Sequence, residues 1–204
     1  MEVHKALDQI SEIHKHLSKA EIYRGYRAVP VASSGILALV AAGVQQNLIG
    51  NQPTHLFVIY WVIVGVIGTF VAGGGIIHNY WVEDNPITRR RTRTVVGQFI
   101  PCITAGVLAT VALGRAGRPF IPFLPGLWAI LFSLGIFASR PYLPRVIGWV
   151  ALLYLIAGAV LLALAPGTGS LSPWAMGLTF GTGQILAGIV LYRDLERNEN
   201  GSQT

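Results

Sequence analysis

Charge is scarce in this chain, and cysteine scarcer. Charged residues fill 12% of its 204 positions, where an average soluble domain carries about a quarter. Set against 52% apolar residues and a mean hydropathy of +0.55, that shortage excludes an ordinary soluble domain. The single Cys102 excludes an intrachain disulfide, and nothing in the cysteine usage points to an oxidising compartment. No Asp, Glu, Lys, Arg or His falls in the middle of a long apolar run. A charge at the bilayer centre costs about 2.5–3.5 kcal/mol on insertion scales and is kept where proton or ion coupling needs it. Its absence weighs against a proton-coupled pump, and against intramembrane proteolysis by an acid pair or a metal. The first 28 residues hold no apolar core of a signal peptide, so the apolar runs are expected to act as their own insertion signals.

What is present is a series of apolar runs of bilayer length. A hydrocarbon core of about 30 Å takes about 20 helical residues at 1.5 Å each. Runs at about 29–50, 55–77, 95–113, 120–138, 146–165 and 173–192 are of that length. The expected fold is an all-α integral membrane protein with six transmembrane helices over 29–192. A cytoplasmic amphipathic segment, 1–28, precedes it, and a polar cytoplasmic tail, 193–204, follows.

His78–Arg93, HNYWVEDNPITRRRTR, orients the rest. It is the long polar segment between two apolar runs, expected as a loop, and it carries Arg89, Arg90, Arg91 and Arg93. Basic segments close to a membrane helix stay on the cytoplasmic side. Of the 15 Lys and Arg, all but Arg115 and Arg118 fall on segments that six spans place beside this loop. The loops at 45–54 and 166–172 hold none. Both termini are therefore expected in the cytoplasm, with the chain in a cell membrane of the bacterial inner-membrane kind.

Residues 2–24 have the period of an amphipathic helix. Val3, Leu7, Ile10, Ile13, Leu17 and Ala20 share one face, opposite His4, Asp8, Glu12, Lys15, His16 and Lys19. That apolar stripe needs a cover: the bilayer surface, the protein's own loops, a second copy, or a membrane-protein partner. Further along, Tyr60 and Trp61 suit one membrane interface, Tyr80 and Trp81 the other. Pro119, Pro122 and Pro125 make the entry to the fourth span irregular, with the helix proper starting near Pro125. Ser172 and Pro173 fit the N-cap and first position of the sixth.

Polar residues inside the spans are the candidate sites. Gln98 and Thr104 flank Pro101 in the third span, where the missing N–H frees a helix carbonyl. Thr182 and Gln184 lie in TFGTGQ, mid-way along the sixth. The four could line a substrate path. In the sixth span the competing explanation is helix packing, because Gly177 and Gly181 form a GxxxG pair that lets a neighbour approach. Gly73, Gly74 and Gly75 make no phosphate loop, since the Lys-Ser/Thr that should follow is absent. His4, Asp8, Glu12 and His16 at steps of four, and His78, Glu83 and Asp84, are the two sets with metal-ligand chemistry. Both fit solvated polar segments better, so no metal and no cofactor is expected. The arginines 89–93 are expected to meet anionic lipid headgroups, at about 1 kcal/mol each, or a partner. No nucleic-acid motif accompanies them.

No catalytic constellation emerges. Three functions fit, in this order: a non-enzymatic accessory or scaffold protein docking a partner through residues 2–24 and the arginines; a small channel or carrier for a neutral or weakly polar solute; and a lipid-acting enzyme at the interface using His78, Glu83 and Asp84.

Overall fold

Small residues at helical spacing decide how these apolar runs assemble, because they let helix backbones approach for close van der Waals packing. The computed structural model describes residues 28–49, 53–82, 86–168 and 171–193, with side chains outside 75–92 and 167–168. The amphipathic segment 2–24 and the tail from 194 lie outside the described residues. Helix α1, Ala28–Val44, continues as a π-helical turn, Gln45–Ile49. Helix α2 is Thr54–Val82 and α3 is Pro86–Ala116. A 3-10 segment, Arg118–Phe123, leads into α4, Leu124–Ser139, and the 3-10 turn Arg140–Tyr142 follows it. Helix α5 is Ile147–Thr168 and α6 is Pro173–Leu191. No strand occurs among the described residues. Six helical segments are long and apolar enough to cross a membrane.

Two expected loops are largely helix. His78–Arg93 belongs to α2 up to Val82 and to α3 from Pro86, leaving 83–85, outside the described residues, as the link. The polar stretch holds nothing that breaks a helix until Pro86, and a proline at a first helical position costs no hydrogen bond. Hydropathy marks where a helix leaves the apolar zone, not where its hydrogen bonds stop. The loop expected at 45–54 shrinks likewise, since Gln45–Ile49 stays helical. At the fourth span the prolines act as expected: the 3-10 segment takes two of them, and the α-helix begins at Leu124. Gly117, at φ 114°, supplies the turn between α3 and that segment. Ser172 is an extended N-cap before Pro173, but its hydroxyl makes no capping bond.

In space the helices run α2, α1, α6, α5, α4, α3, and α2 and α3 meet only sparsely where the ring would close. The tightest pairing joins the first and last helices. Gly177 faces Ala42, Gly181 faces Leu39 and Gly35, and Gly188 faces Ala32, so α1 and α6 are antiparallel with little but backbone between them. Helices α4 and α5 close in the same way, each of Gly126 and Gly158 facing the other's carbonyl oxygen. Helix α3 leans on α4 with the Phe99 ring over Gly135. Ser34, Ala38 and Ala42 of α1 are buried, and Gly68 of α2 comes within van der Waals reach of Ser34. The alternation puts Arg93, Arg140, Arg145 and Arg193 at one end of the bundle, with Arg115 and Arg118 at the other.

Aromatic rings fill the centre. Phe99, Phe132, Tyr154 and Phe180, from four different helices, are linked by ring-centroid separations of 5.0–6.0 Å. At the end away from Arg93, Phe57, Trp61 and Met176 pack on Ala41 and Ala42. Here the structure departs from the interfacial role expected of Trp61, which is buried, while Tyr60 stays half-exposed. The Tyr60 hydroxyl donates to the Ala41 carbonyl at 2.7 Å, and Trp61 Nε1 donates to Gln45 Oε1 at 2.8 Å. Gln45 and Trp61 are both buried. Gln45→Leu leaves the indole N–H unpaired, and is expected to lower stability by about 1–3 kcal/mol in a denaturant titration. Stability equal to the parent would show that the indole finds another acceptor.

Candidate functional site

Polar groups in the interior are the candidates, and most satisfy one another. Ser133 Oγ donates to the Ala151 carbonyl at 2.7 Å, joining α4 to α5. Trp128 Nε1 donates to Thr110 Oγ1 at 2.9 Å, and Thr110 donates in turn to the Gly106 carbonyl. Tyr154 Oη donates to the Phe180 carbonyl at 3.2 Å. Two buried side-chain atoms among the described residues have no partner: Gln98 Oε1 and Ser139 Oγ. Ser139 is fully buried at the end of α4, and Gln98 is half-buried on α3.

The register of the α3–α4 seam relates them. Phe99 lies against Gly135, and Gly106 against Leu131, so the helices are antiparallel. Ser139 then sits about one turn beyond Gly135 toward the end that carries Arg93. The Cβ position of Gly135 also lies 3.6 Å from Cys102 Cβ, so Ser139, four residues past Gly135, falls level with Gln98, four residues before Cys102.

The residues expected to line a path fall in separate places. Thr104 and Thr182 are exposed, and each donates back to a carbonyl of its own helix, Ile100 and Leu178. Gln184 is half-buried with its Cβ beside Gly35, in the α1–α6 contact. Gln98 and Thr104 ride on α3 against α4, whereas Thr182 and Gln184 ride on α6 between α1 and α5. Arg93 is exposed, and the side chains of Arg89, Arg90 and Arg91 lie outside the described ones. Both candidate metal sets lie there too. Among the described residues no three His, Cys, Asp or Glu come together to hold a metal ion.

Pro101 has the effect its chemistry requires. It has no N–H to give the Gly97 carbonyl, and Thr104 bonds Ile100 instead. Gly97, Pro101 and Thr104 are all exposed on α3, so the carbonyl that lost its helix partner belongs to an uncovered stretch. Ser139 and Gln45 were not singled out from sequence. A serine just before Arg-Pro reads as a helix end, and a glutamine next to Gln46 and Asn47 reads as a loop. All nine acidic residues lie outside the described side chains. No protein-family model matches the chain, and no curated protein or solved structure is significantly similar to it.

Proposed function

We propose that this is a non-enzymatic, multi-pass protein of a bacterial inner membrane that serves as a scaffold or accessory subunit. Both termini and the α2–α3 tip face the cytoplasm, and a membrane partner docks on α2 and α3. The carrying observation is how little of these two helices the chain itself covers. Eleven per cent of the α2 span and 6% of the α3 span are buried, against 44% for each of the α1, α4 and α6 spans. Gly65 and Gly73 on α2, and Gly97 on α3, have nothing within 4 Å of where a Cβ would stand. Gly126, Gly158 and Gly188, by contrast, each face the backbone of a neighbouring helix. The Gly97 carbonyl adds a chemical reason for a cover, since a backbone acceptor in lipid needs a donor.

Other features support the setting. Ile63, Phe70, Ile103, Leu108 and Leu164 are more than half exposed on helix flanks, a surface that suits lipid tails. Trp149 and Tyr192 are exposed at one end and Trp174 at the other, where amphipathic rings meet headgroups. The arginines 89–93, with residues 2–24, supply a basic and an amphipathic contact to anionic lipid or to the partner's cytoplasmic part. The filled aromatic centre favours a scaffold over a pore. The second reading, a carrier for a small neutral solute, has one observation in its favour: the unpaired Gln98 and Ser139.

The test is purification in mild detergent of the full chain, a chain lacking residues 1–22, and a Gly65→Leu/Gly97→Leu variant, with absolute mass and co-purifying proteins determined for each. The full chain is expected to carry a partner or a second copy. The double variant is expected to lose at least tenfold of it while keeping its own unfolding midpoint. Three identical partner-free species would sink the scaffold reading.

A further inference from the structure

We propose that a resident water molecule is built into the α3–α4 seam, donating to Gln98 Oε1 and accepting from Ser139 Oγ–H. Empty, the site would hold two buried polar atoms without partners, each at a cost of about 1–3 kcal/mol. The other buried side-chain polar atoms among the described residues are satisfied, so the two exceptions on one seam call for an occupant. Rotamer choice points the same way. Thr69, Thr104, Thr110 and Thr182 each turn their hydroxyl to the carbonyl four residues back. Ser139 makes no such bond, although nothing in a helix prevents it.

The chemistry selects the occupant. Gln98 Oε1 can only accept, and Ser139 Oγ can both donate and accept. The molecule between them must donate to one and meet the hydroxyl of the other within a seam that leaves no part of Ser139 exposed. Water fits, because buried waters make two to four such bonds in sites of about this polarity. The two residues stand at one height on antiparallel helices, yet neither hydrogen-bonds the other.

Water-edited solid-state NMR on the full chain in lipid tests this directly. Magnetisation transfer from water to the Gln98 side-chain amide is expected to be fast, as for an exposed amide, and its absence would overturn the proposal. Thermal unfolding of Gln98→Met, Ser139→Ala and the double variant supplies the sign. With a shared water, each single change strands a partner, and the midpoint falls by roughly 2–4 °C; the double variant falls no further than the worse single. With an empty site, each single change removes an orphan and raises the midpoint, which overturns the proposal. A direct Gln98–Ser139 bond would give the coupling without the water transfer, and also overturns it.

Discussion

Gly158→Ala is expected to weaken the bundle by about 1–3 kcal/mol or more, read as a lower unfolding midpoint in detergent. A Cβ at position 158 would stand 2.7 Å from the Gly126 carbonyl oxygen and 3.0 Å from the backbone nitrogen of Ile130. Neither atom can swing aside, because both belong to the α4 backbone. The helices must separate along their contact instead, and the packing on either side loosens with them. Gly126→Ala meets the same wall from the other helix, 2.7 Å from the Gly158 carbonyl oxygen and 2.8 Å from the Leu162 nitrogen. Once one methyl has pushed the helices apart, the second finds room already made. The double variant is therefore expected to lose clearly less than the sum of the singles, as contacting positions do. Gly65→Ala and Gly114→Ala are the controls: nothing lies within 4 Å of either Cβ position. Alanine there is expected to be neutral, or to gain up to about 1 kcal/mol from helix propensity. If Gly158→Ala behaves like Gly65→Ala, the close α4–α5 approach is not what holds this part of the bundle.

Glycine also shows how far the sequence could be read. Gly177 and Gly181 announce a close helix contact by their spacing, and the structure packs both against α1. Their spacing does not say which helix answers. The α1–α6 pair joins the first and last spans, and an apolar period gives a face, never a partner. Gly65 has the same small-residue character, yet faces open space, because small size permits an approach without causing one. The number and order of the six long apolar helices were legible, since their length survives in the hydropathy of each run. The helical continuation through the arginine segment was not, since polar residues such as Thr88 and Arg90 hydrogen-bond along a helix as readily as in a loop. The buried role of Gln45 was hidden for a related reason. What keeps it inside is Trp61, 16 residues on, and a long-range hydrogen bond leaves no local pattern.

Tyr154→Ala is expected to cost about 3–5 kcal/mol, the range for removing a large buried aromatic side chain. Tyr154 is fully buried, with its ring 5.0 Å from that of Phe132 and 5.6 Å from that of Phe180, centroid to centroid. Its hydroxyl adds little. The 3.2 Å bond to the Phe180 carbonyl is long for an O–H donor, so Tyr154→Phe should lose no more than about 1 kcal/mol. The ring also explains Gly183, since any Cβ there would run into the phenol of Tyr154. Gly183→Ala is thus expected to destabilise on its own and to be relieved when Tyr154 is cut back. The Tyr154→Ala/Gly183→Ala double variant should then be no less stable than Tyr154→Ala. The same pair of variants separates a packed centre from a conducting one. If the aromatic cluster is structural, Tyr154→Ala leaves a small dry cavity lined by rings, and proteoliposomes carrying it pass no more solute than parent vesicles. If Tyr154 instead plugs a polar route, its loss raises flux of small neutral solutes by about an order of magnitude while stability falls far less than about 3 kcal/mol. That second outcome would move the carrier reading ahead of the scaffold.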